Sequence, residues 1–537
     1  MIEILNKIYF SIYKFISFFK KRSQKLFYDY EKYNEIIYIN KLKYFNFHGQ
    51  FFSEKKLIKN SNFSKKLKKK YKNVIIIINK KSSDFFHYFL DKKSFKRYAL
   101  KNSLNFFKIN LEGKKEFKFK IHKSDLVLKP IFSELKSKRK LVLILIVDGL
   151  GNDLTYLMSN TNNFFGLNNK FTNAWSNAEW TLPSVGNLLS GMYTSNHQCW
   201  NNQSSYTSRF NLQNKLENQV NLNEVNTTMF ESFKKLGFIT GFYSPYIRMN
   251  PTYGHDRGVD IFKYCKENSV DEILDCINSQ IDLFNNHSNF IIAHIFDSKG
   301  PTKKYLRLAE QSLSNDENYN YQSKNELQNL NLKNLSIRDE SQSLLSENLF
   351  RYIDNRLGLF FKTLNTKNYD DYSIFLFGDH GTRREKQNKT NKVLSSMQNN
   401  IGFYVKDNKF NFNTKKDNIM QMIDIFPSLS CRYSNHKSNK KIKFDGKNVL
   451  YSANKSEFSI AESIWGNHYS FFIKIKNYFT LITHNFDNLK KIKEINFYDL
   501  KENKVDDKKI PKKIFKKVHS IFKNFKKTKN FFKHNQN

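Results

Sequence analysis

An uninterrupted apolar run at residues 141–147 places the strongest constraint on how this chain can fold. It ends at Asp148 in the segment LVLILIVDGLGN, where Gly149 and Gly151 follow. Seven consecutive apolar residues, several of them β-branched, predict a strand that is buried on both faces, as at the centre of an α/β sheet. Such sheets bind their ligands at the carboxyl ends of strands. Asp148 is therefore a candidate site residue, although an Asp that only turns the chain is the alternative.

Two later segments also put polar residues at the ends of predicted elements. A strand over 372–377 leads into Asp379 and His380 in FGDHG, and Thr181 opens the helix-like segment TLPSVGNLLSG. Two carboxylates and an imidazole at the ends of adjacent strands can share one divalent cation. A hydroxyl beside that cation, at a helix N-terminus that favours anions, can become a nucleophile. Thr181 is the candidate for that role, and the alternative is a simple helix cap.

The chain is strongly basic but carries no recognised nucleic-acid motif. Its 90 Lys and Arg residues against 49 Asp and Glu give a net charge of +41. These charges are dispersed along a sequence that is rich throughout in Lys, Asn, Ile, Phe and Tyr. The pattern indicates compositional bias together with affinity for anionic ester substrates or anionic lipid surfaces. A nucleic-acid partner is not expected.

Cysteine spacing and hydropathy favour a cytoplasmic location. The four cysteines form no CxxC and no disulfide-rich pattern, which favours a reducing compartment; they stand at positions 199, 265, 276 and 431. The N-terminal segment 1–29 is amphipathic, and its apolar part at 8–19 is too short to span a bilayer. Peripheral contact with an anionic membrane and packing on the protein's own first domain are both open for this segment. No transmembrane segment is predicted elsewhere in the sequence.

The order of predicted elements divides the rest of the chain into three parts. Residues 30–140 alternate aromatic and β-branched runs with Lys- and Asn-rich turns, which predicts a mostly β accessory domain. Residues 141–502 alternate strands and helices and close with antiparallel strands, which predicts an α/β catalytic domain with a small C-terminal subdomain. Within it, residues 302–346 are a polar insertion. Residues 503–537 are a basic tail that is expected to be solvated.

Taken together and in order, these segments resemble the sulfatase family of the alkaline phosphatase superfamily over roughly residues 140–502. VDGLG resembles the family's first metal-binding Asp, WTLPSVGNLLSGMYTSNH its nucleophile motif and helix, and FGDHG its second metal motif. The resemblance implies an alkaline-phosphatase-like, mixed and mostly parallel sheet between helices. It also implies that Asp148, Asp379 and His380 are metal ligands and that Thr181 is a nucleophile touching the metal. The spacing to Asn202 resembles that of the superfamily's nucleotide phosphodiesterases, in which an Asn contacts a phosphoryl oxygen.

The nucleophile position departs from the sulfatase pattern. Sulfatases carry Cys or Ser there, oxidised to formylglycine, and an Arg where this chain has Val185. Thr181 is a secondary alcohol, which oxidation would turn into a ketone instead of the required aldehyde. Thr is the nucleophile of the superfamily's phosphodiesterases and phosphotransferases, which implies a metal-dependent enzyme that hydrolyses or transfers a phospho- or sulfo-ester group on a cell-surface glycan or lipid. A sulfatase that works without formylglycine and an inactive binding module are the alternatives.

A second departure concerns the number of metal ions. The segment FDSKGP stands where relatives place Asp-x-His-x-Pro, and it has Lys299 and Pro301 where sulfatases and two-metal members have His. The resemblance therefore implies one divalent metal ion, with Lys299 holding an anionic oxygen of the substrate. Mn, Mg, Ca and Zn are all open as that ion. His468 is a late histidine whose role the sequence leaves open.

Overall fold

The structure is a computed structural model that describes most of residues 36–528. Residues 1–35, 200–221, 299–339, 382–393 and 529–537 lie outside the described part, with shorter stretches between elements. The predicted N-terminal segment 1–29 therefore lies outside the described part, and so do residues 302–339 of the predicted insertion. The end of that insertion, 340–346, is the start of a long helix instead. In the described parts of the chain, none of the helices has the length and apolar character needed to cross a bilayer.

The N-terminal region consists of short antiparallel strands. They are β1 (Ile36–Ile39), β2 (Leu42–Phe47), β3 (Gln50–Ser53), β4 (Asn62–Lys66), β5 (Tyr71–Asn79), β6 (Phe85–Leu90), β7 (Ser94–Ala99), β8 (Leu104–Asn110), β9 (Glu116–Lys120), β10 (Leu126–Val127) and β11 (Ile131–Glu134). Strands β4 to β11 form two sheets, ordered β4-β9-β6-β7 and β10-β5-β11 with β8 also paired to β5. A core rich in Phe and Ile joins them, including Val74, Phe86 and Phe117.

The first three strands correct the predicted domain boundary. They extend the central sheet, because β3 pairs antiparallel with a catalytic-domain strand through Phe51 and Phe262. An open sheet edge exposes unpaired backbone groups, and pairing with another strand satisfies them. Residues 36–53 therefore belong to the catalytic sheet, and the prediction that all of 30–140 is a separate unit is wrong for this stretch. That residues 62–134 fold independently stays a prediction.

The central sheet is mostly parallel, as predicted. Its remaining strands and two short neighbours are β12 (Lys140–Val147), β13 (Lys170–Phe171), β14 (Ala174–Trp175), β15 (Ile239–Ser244), β16 (Ile261–Tyr264), β17 (Asn289–Ile295), β18 (Asp371–Phe377), β19 (Phe403–Asp407) and β20 (Met420–Gln421). Among the described residues, ten strands form the order β1-β2-β3-β16-β15-β17-β12-β18-β19-β13. Parallel pairing runs from β16 through β15, β17 and β12 to β18.

Helices cover both faces of this sheet. They are α1 (Ser159–Phe165), α2 (Thr181–Ser190), α3 (Thr194–His197), α4 (Met229–Lys235), α5 (Val270–Leu283), α6 (Glu340–Leu364), α7 (Ser396–Asn399) and α8 (Ile425–Tyr433). Side chains of β12 alternate between the two faces, as strand geometry requires. Val142, Ile144 and Ile146 pack in the core with α2, α4 and α8. Leu143 and Leu145 pack with α5 and α6 in a second core, on the opposite face of the sheet. Burial on both faces explains why the apolar run is uninterrupted.

The C-terminal subdomain is an antiparallel sheet with a helix packed on it. It comprises β21 (Phe458–Trp465), β22 (His468–Ile475), β23 (Tyr478–Asn485), β24 (Ile492–Asp499), β25 (Lys504–Val505) and α9 (Lys512–Thr528). Helix α9 buries Ile514, Val518, Phe522 and Phe525 against the sheet, at the spacing of one helical face. The prediction of a solvated tail over 503–537 is therefore wrong over β25, which pairs with β24, and over α9, where Lys512, Lys516 and Lys523 are exposed while the apolar face is buried.

Candidate active site

The first site residue is held at the carboxyl end of β12. The Asp148 backbone N–H donates to the Ile295 carbonyl at 2.9 Å, which keeps the two parallel strands paired up to the site. Gly149 follows with φ at +70°, in the left-handed region that favours glycine. This turn directs the chain away from the sheet and leaves the fully buried Asp148 carboxylate at the strand end.

The second pair of site residues follows β18, the neighbour of β12. Asp379 Oδ1 accepts the backbone N–H groups of Gly149 and His380, both at 3.0 Å. Asp379 Oδ2 is buried and has no hydrogen-bond partner among the described residues. The carboxylate is thus fixed through one oxygen, and the other oxygen is left for a ligand.

The orientation of His380 suits a metal ligand. Its Nδ1 lies 2.7 Å from the Gly381 carbonyl oxygen, which can only accept a hydrogen bond, so Nδ1 carries the proton. In the neutral imidazole, Nε2 then offers its lone pair, as metal-bound histidines do. That atom lies 3.5 Å from Asp379 Oδ2 and 3.8 Å from Asp148 Oδ1.

Thr181 brings a hydroxyl to this cluster from the first position of α2. Trp180 is the N-cap, Pro183 lies in the first turn, and Gly191 ends the helix with φ at +67°, as the sequence predicts. Thr181 Oγ1 donates to Asp148 Oδ2 at 3.0 Å and lies 3.4 Å from His380 Nε2. The helix N-terminus, with its orphan N–H groups, therefore opens onto the cluster.

The ligand atoms of Asp148, Asp379 and His380 all lie within 4.8 Å of one another, and all three residues are buried. Two buried carboxylates are costly unless a positive charge compensates them. A donor set of two carboxylates and one imidazole accepts several divalent cations. Together with the bare Asp379 Oδ2, this set fits a metal ion, in agreement with the sequence prediction that these residues converge.

The structure does not describe the side chains of the other residues that the sequence suggests for the site. Asn202 and Lys299 lie outside the described residues, and so does the side chain of His468. Asp297 is buried at the end of β17, but its Oδ1 accepts the backbone N–H of Val270 at 3.0 Å, at the start of α5. It lies outside the set of ligand atoms that converge within 4.8 Å, and its contact with Val270 holds the start of α5.

Sequence reasoning missed two residues that contact the cluster. His294 is fully buried on β17, and its Nε2 lies 3.4 Å from Asp148 Oδ2. Gln398 Nε2 donates to the Glu179 carbonyl at 2.6 Å and lies 3.3 Å from His380 Nδ1. A histidine inside the apolar run that follows Asn289 in the strand NFIIAHI was the available signal for His294, whereas nothing in the sequence pointed to Gln398.

Comparison with known proteins agrees with this geometry. The sequence profile of the Sulfatase family matches residues 141–430, a range that contains Asp148, Thr181, Asp379 and His380 and ends within α8. No curated protein sequence matches the chain.

Solved structures share the fold at low sequence identity. The Bacteroides fragilis protein yidJ, which is assigned as a sulfatase, is 13% identical with a TM-score of 0.52, over 75% of this chain and 100% of that one. A protein of glycosaminoglycan metabolism from Bacteroides thetaiotaomicron is 14% identical with a TM-score of 0.50, over 71% and 94% of the respective chains. The likeness confirms the alkaline-phosphatase-like fold.

Proposed function

Because the chain belongs to the sulfatase family, we propose that it hydrolyses or transfers a phosphate ester through a covalent intermediate on Thr181. Family membership makes it an enzyme of the sulfatase and phosphoester-transferase type. The finer assignment to phosphate and to Thr181 is the proposal. Its support is one observation, the position of the Thr181 hydroxyl 3.0 Å from Asp148 Oδ2 and 3.4 Å from His380 Nε2.

The proposed metal centre consists of Asp148, Asp379 and His380, with Thr181 touching the ion. A bound divalent cation supplies positive charge that favours ionisation of a neighbouring hydroxyl and neutralises a phosphoryl group. The carboxylate of Asp148 orients the hydroxyl through its hydrogen bond. The first turn of α2 adds backbone N–H groups and the positive end of the helix dipole, which favour phosphoryl oxygens.

The reaction divides into two displacements at phosphorus. In the first, Thr181 Oγ1 bonds to phosphorus, the bond to the leaving oxygen breaks, and the proton of Thr181 ends on the leaving alcohol. In the second, the oxygen of water or of an acceptor alcohol bonds to phosphorus, the bond to Thr181 breaks, and Thr181 regains a proton from the attacking hydroxyl. Water gives a hydrolase and an alcohol gives a transferase.

Two residues favour phosphate over sulfate as the group transferred. Thr181 cannot be oxidised to the aldehyde on which formylglycine sulfatases depend, because its alcohol is secondary. Val185, at the position of the sulfatase Arg, is fully buried in the apolar core beneath the helix. The site therefore lacks both parts of the formylglycine motif, which argues for direct attack by the threonine oxygen.

The substrate and its setting follow from the same chemistry. An anionic ester on a cell-surface glycan or lipid fits a buried cation at a helix N-terminus. The spacing of the four cysteines in the sequence is the basis on which a reducing, cytoplasmic compartment is proposed. Contact with an anionic membrane stays a prediction.

A substrate panel tests this function. The purified protein is stripped with a chelator and reloaded with Mn, Mg, Ca or Zn. It is then given nitrophenyl esters of phosphate, of a phosphodiester and of sulfate, with and without an alcohol acceptor. We expect phosphate-ester turnover that disappears on chelation and returns with one of the metals. Turnover of the sulfate ester alone would indicate a sulfatase without formylglycine. Turnover of none, with metal bound, would favour the binding-module alternative.

A further inference from the structure

A buried histidine lies directly behind the Asp148 carboxylate, and the mechanism above does not use it. We propose that His294 is a positioning residue, whose Nε2–H holds Asp148 in the orientation that the metal and Thr181 require, and that Ser244 fixes its tautomer. This inference rests on the proposed metal centre and adds two residues to it. Neither residue belongs to the motifs that identify the site in the sequence.

The sheet order brings these residues into line. Strands β15, β17 and β12 are adjacent and parallel, and they carry Ser244, His294 and Asp148 at or next to their carboxyl ends. His294 is opposite Ile146 in the strand register, two residues before Asp148. The His294 imidazole on β17 thus lies beside the end of β12, where Asp148 is.

His294 has one ring nitrogen that the protein does not otherwise satisfy. The residue is fully buried, and its Nε2 makes no hydrogen bond among the described residues although it lies 3.4 Å from Asp148 Oδ2. His294 is outside the set of residues whose ligand atoms converge within 4.8 Å. A buried polar atom without a partner is costly, and the Asp148 carboxylate is an acceptor that lies 3.4 Å from it.

Ser244 decides which nitrogen of His294 carries the proton. Ser244 Oγ accepts the backbone N–H of Tyr246 at 3.1 Å and lies 3.3 Å from His294 Nδ1. The contacts of the described residues offer this buried hydroxyl hydrogen one acceptor, Nδ1 of His294, and donation to Nδ1 therefore satisfies it. In the neutral imidazole the proton is then on Nε2, where it faces Asp148.

The two oxygens of Asp148 therefore have different neighbours. Oδ2 is the acceptor for the Thr181 hydroxyl and faces His294, whereas Oδ1 lies towards His380 Nε2 at 3.8 Å. The half-buried rings of Tyr246 and Phe296 stack on each other at 4.7 Å, and their centroids lie 6.0 and 5.7 Å from that of His294. His294 and Asp148 are themselves fully buried, and a contact that is shielded from water is electrostatically stronger.

Metal affinity of three variants tests the proposal. His294→Met removes the N–H at similar volume, His294→Gln keeps an N–H donor at similar reach, and Ser244→Ala releases the tautomer. Partners of metal ligands typically contribute about 10- to 100-fold in metal affinity. We expect His294→Met to weaken metal binding by that factor, His294→Gln to recover most of it, and Ser244→Ala to fall between the two. Titration of each metal-free protein by calorimetry gives the dissociation constants, and thermal unfolding controls for folding.

A second measurement does not need the metal. In metal-free protein labelled with ¹⁵N histidine, the His294 signal, assigned by its loss in His294→Met, should show the Nε2-protonated tautomer and should lose that preference in Ser244→Ala. An unchanged metal affinity in His294→Met, equal losses in His294→Met and His294→Gln, or an Nδ1-protonated ring would overturn the inference. Wild-type protein that binds no divalent cation would overturn the proposed metal centre and this inference with it.

Discussion

The Thr181 hydroxyl donates a hydrogen bond to Asp148 Oδ2 over 3.0 Å, from the first turn of a helix to the end of a central strand. Both residues are buried, and 33 positions separate them in the chain. The contact joins the proposed nucleophile to a proposed metal ligand before any substrate is present. Such a prepared arrangement lowers the cost of organising the site during the reaction.

Substitution of Thr181 distinguishes nucleophilic attack by its hydroxyl from binding of the metal ion. Thr181→Ala removes the attacking oxygen and leaves the three metal ligands, so kcat for phosphate esters should fall by about 10⁴-fold or more while metal content persists. Thr181→Ser keeps a hydroxyl at the same place and should retain partial activity. Steady-state kinetics beside metal analysis checks this, and a Thr181→Ala protein with near-wild-type kcat would contradict it.

Two aspartates, at the ends of the two strands that flank β12, should differ in their effect on metal content. Asp379→Asn can still accept the two backbone N–H groups through its carbonyl oxygen, but it places an N–H group where Oδ2 faces the metal. We expect metal content, measured by elemental mass spectrometry after gel filtration, to drop from about one ion per chain to near zero, since an amide N–H cannot coordinate a cation.

The matched control is Asp297→Asn. Its carbonyl oxygen can still accept the Val270 N–H, and the residue lies outside the converging ligand set. We expect its metal content to equal that of the wild type. A loss of metal in Asp297→Asn would show that Asp297 is itself a ligand and would contradict the single-ion account.

Two buried histidines should make the fold sensitive to acid. Burial lowers the pKa of His197 to about 3 and that of His255 to about 3, from an ordinary value of 6.5. As the pH falls, the two histidines take up protons near pH 6.5 in the unfolded chain but only near pH 3 in the folded chain. The free energy of unfolding is therefore highest above pH 6.5 and decreases as the pH falls towards 3. At pH 5 the loss is on the order of 2 kcal/mol per histidine.

Urea unfolding at pH 7.5 and pH 5 checks this sign. His197→Gln removes one of the two titrating groups, so its free energy of unfolding should fall less between the two pH values than that of the wild type. Equal losses in both proteins would contradict the assignment of acid sensitivity to His197.

The C-terminal helix should contribute to the stability of the subdomain. Phe522 is buried, with ring centroids 5.1 Å from Phe471 and 5.4 Å from His484. Phe522→Ala should reduce the free energy of unfolding by about 3–5 kcal/mol, as for other buried Phe residues. Lys523→Ala, at the next and exposed position, should change it by less than about 0.5 kcal/mol. Equal effects in denaturant unfolding would mean that the helix does not stay packed.

The site was predictable because each of its residues lies in a short sequence segment with a recognisable pattern. A buried strand that ends in Asp148, a second that ends in Asp379 and His380, and a helix that begins at Thr181 are each visible in a short window of sequence. Parallel strands then place their carboxyl ends at one edge of the sheet. The family resemblance supplied the roles of these residues.

The features that the sequence did not reveal depend on long-range pairing. Nothing near Phe51 indicates that it pairs with Phe262, and the contact of His294 with Asp148 depends on which strand neighbours β12. The lysine content of residues 512–528 obscured the apolar face of the last helix, on which Val518 and Phe522 are buried. The helical spacing of its apolar residues indicates the packed helix better than its charge does.

The covalent intermediate is the central claim, and its direct detection is the most decisive measurement. The metal-loaded enzyme is quenched in acid during turnover of a phosphate ester, digested, and analysed by mass spectrometry for the peptide that contains WTLPS. We predict an added phosphate on Thr181 that appears with substrate, disappears when the substrate is exhausted, and is absent from Thr181→Ala. Steady turnover with no phosphate on that peptide, or with phosphate on a different residue, would contradict the account.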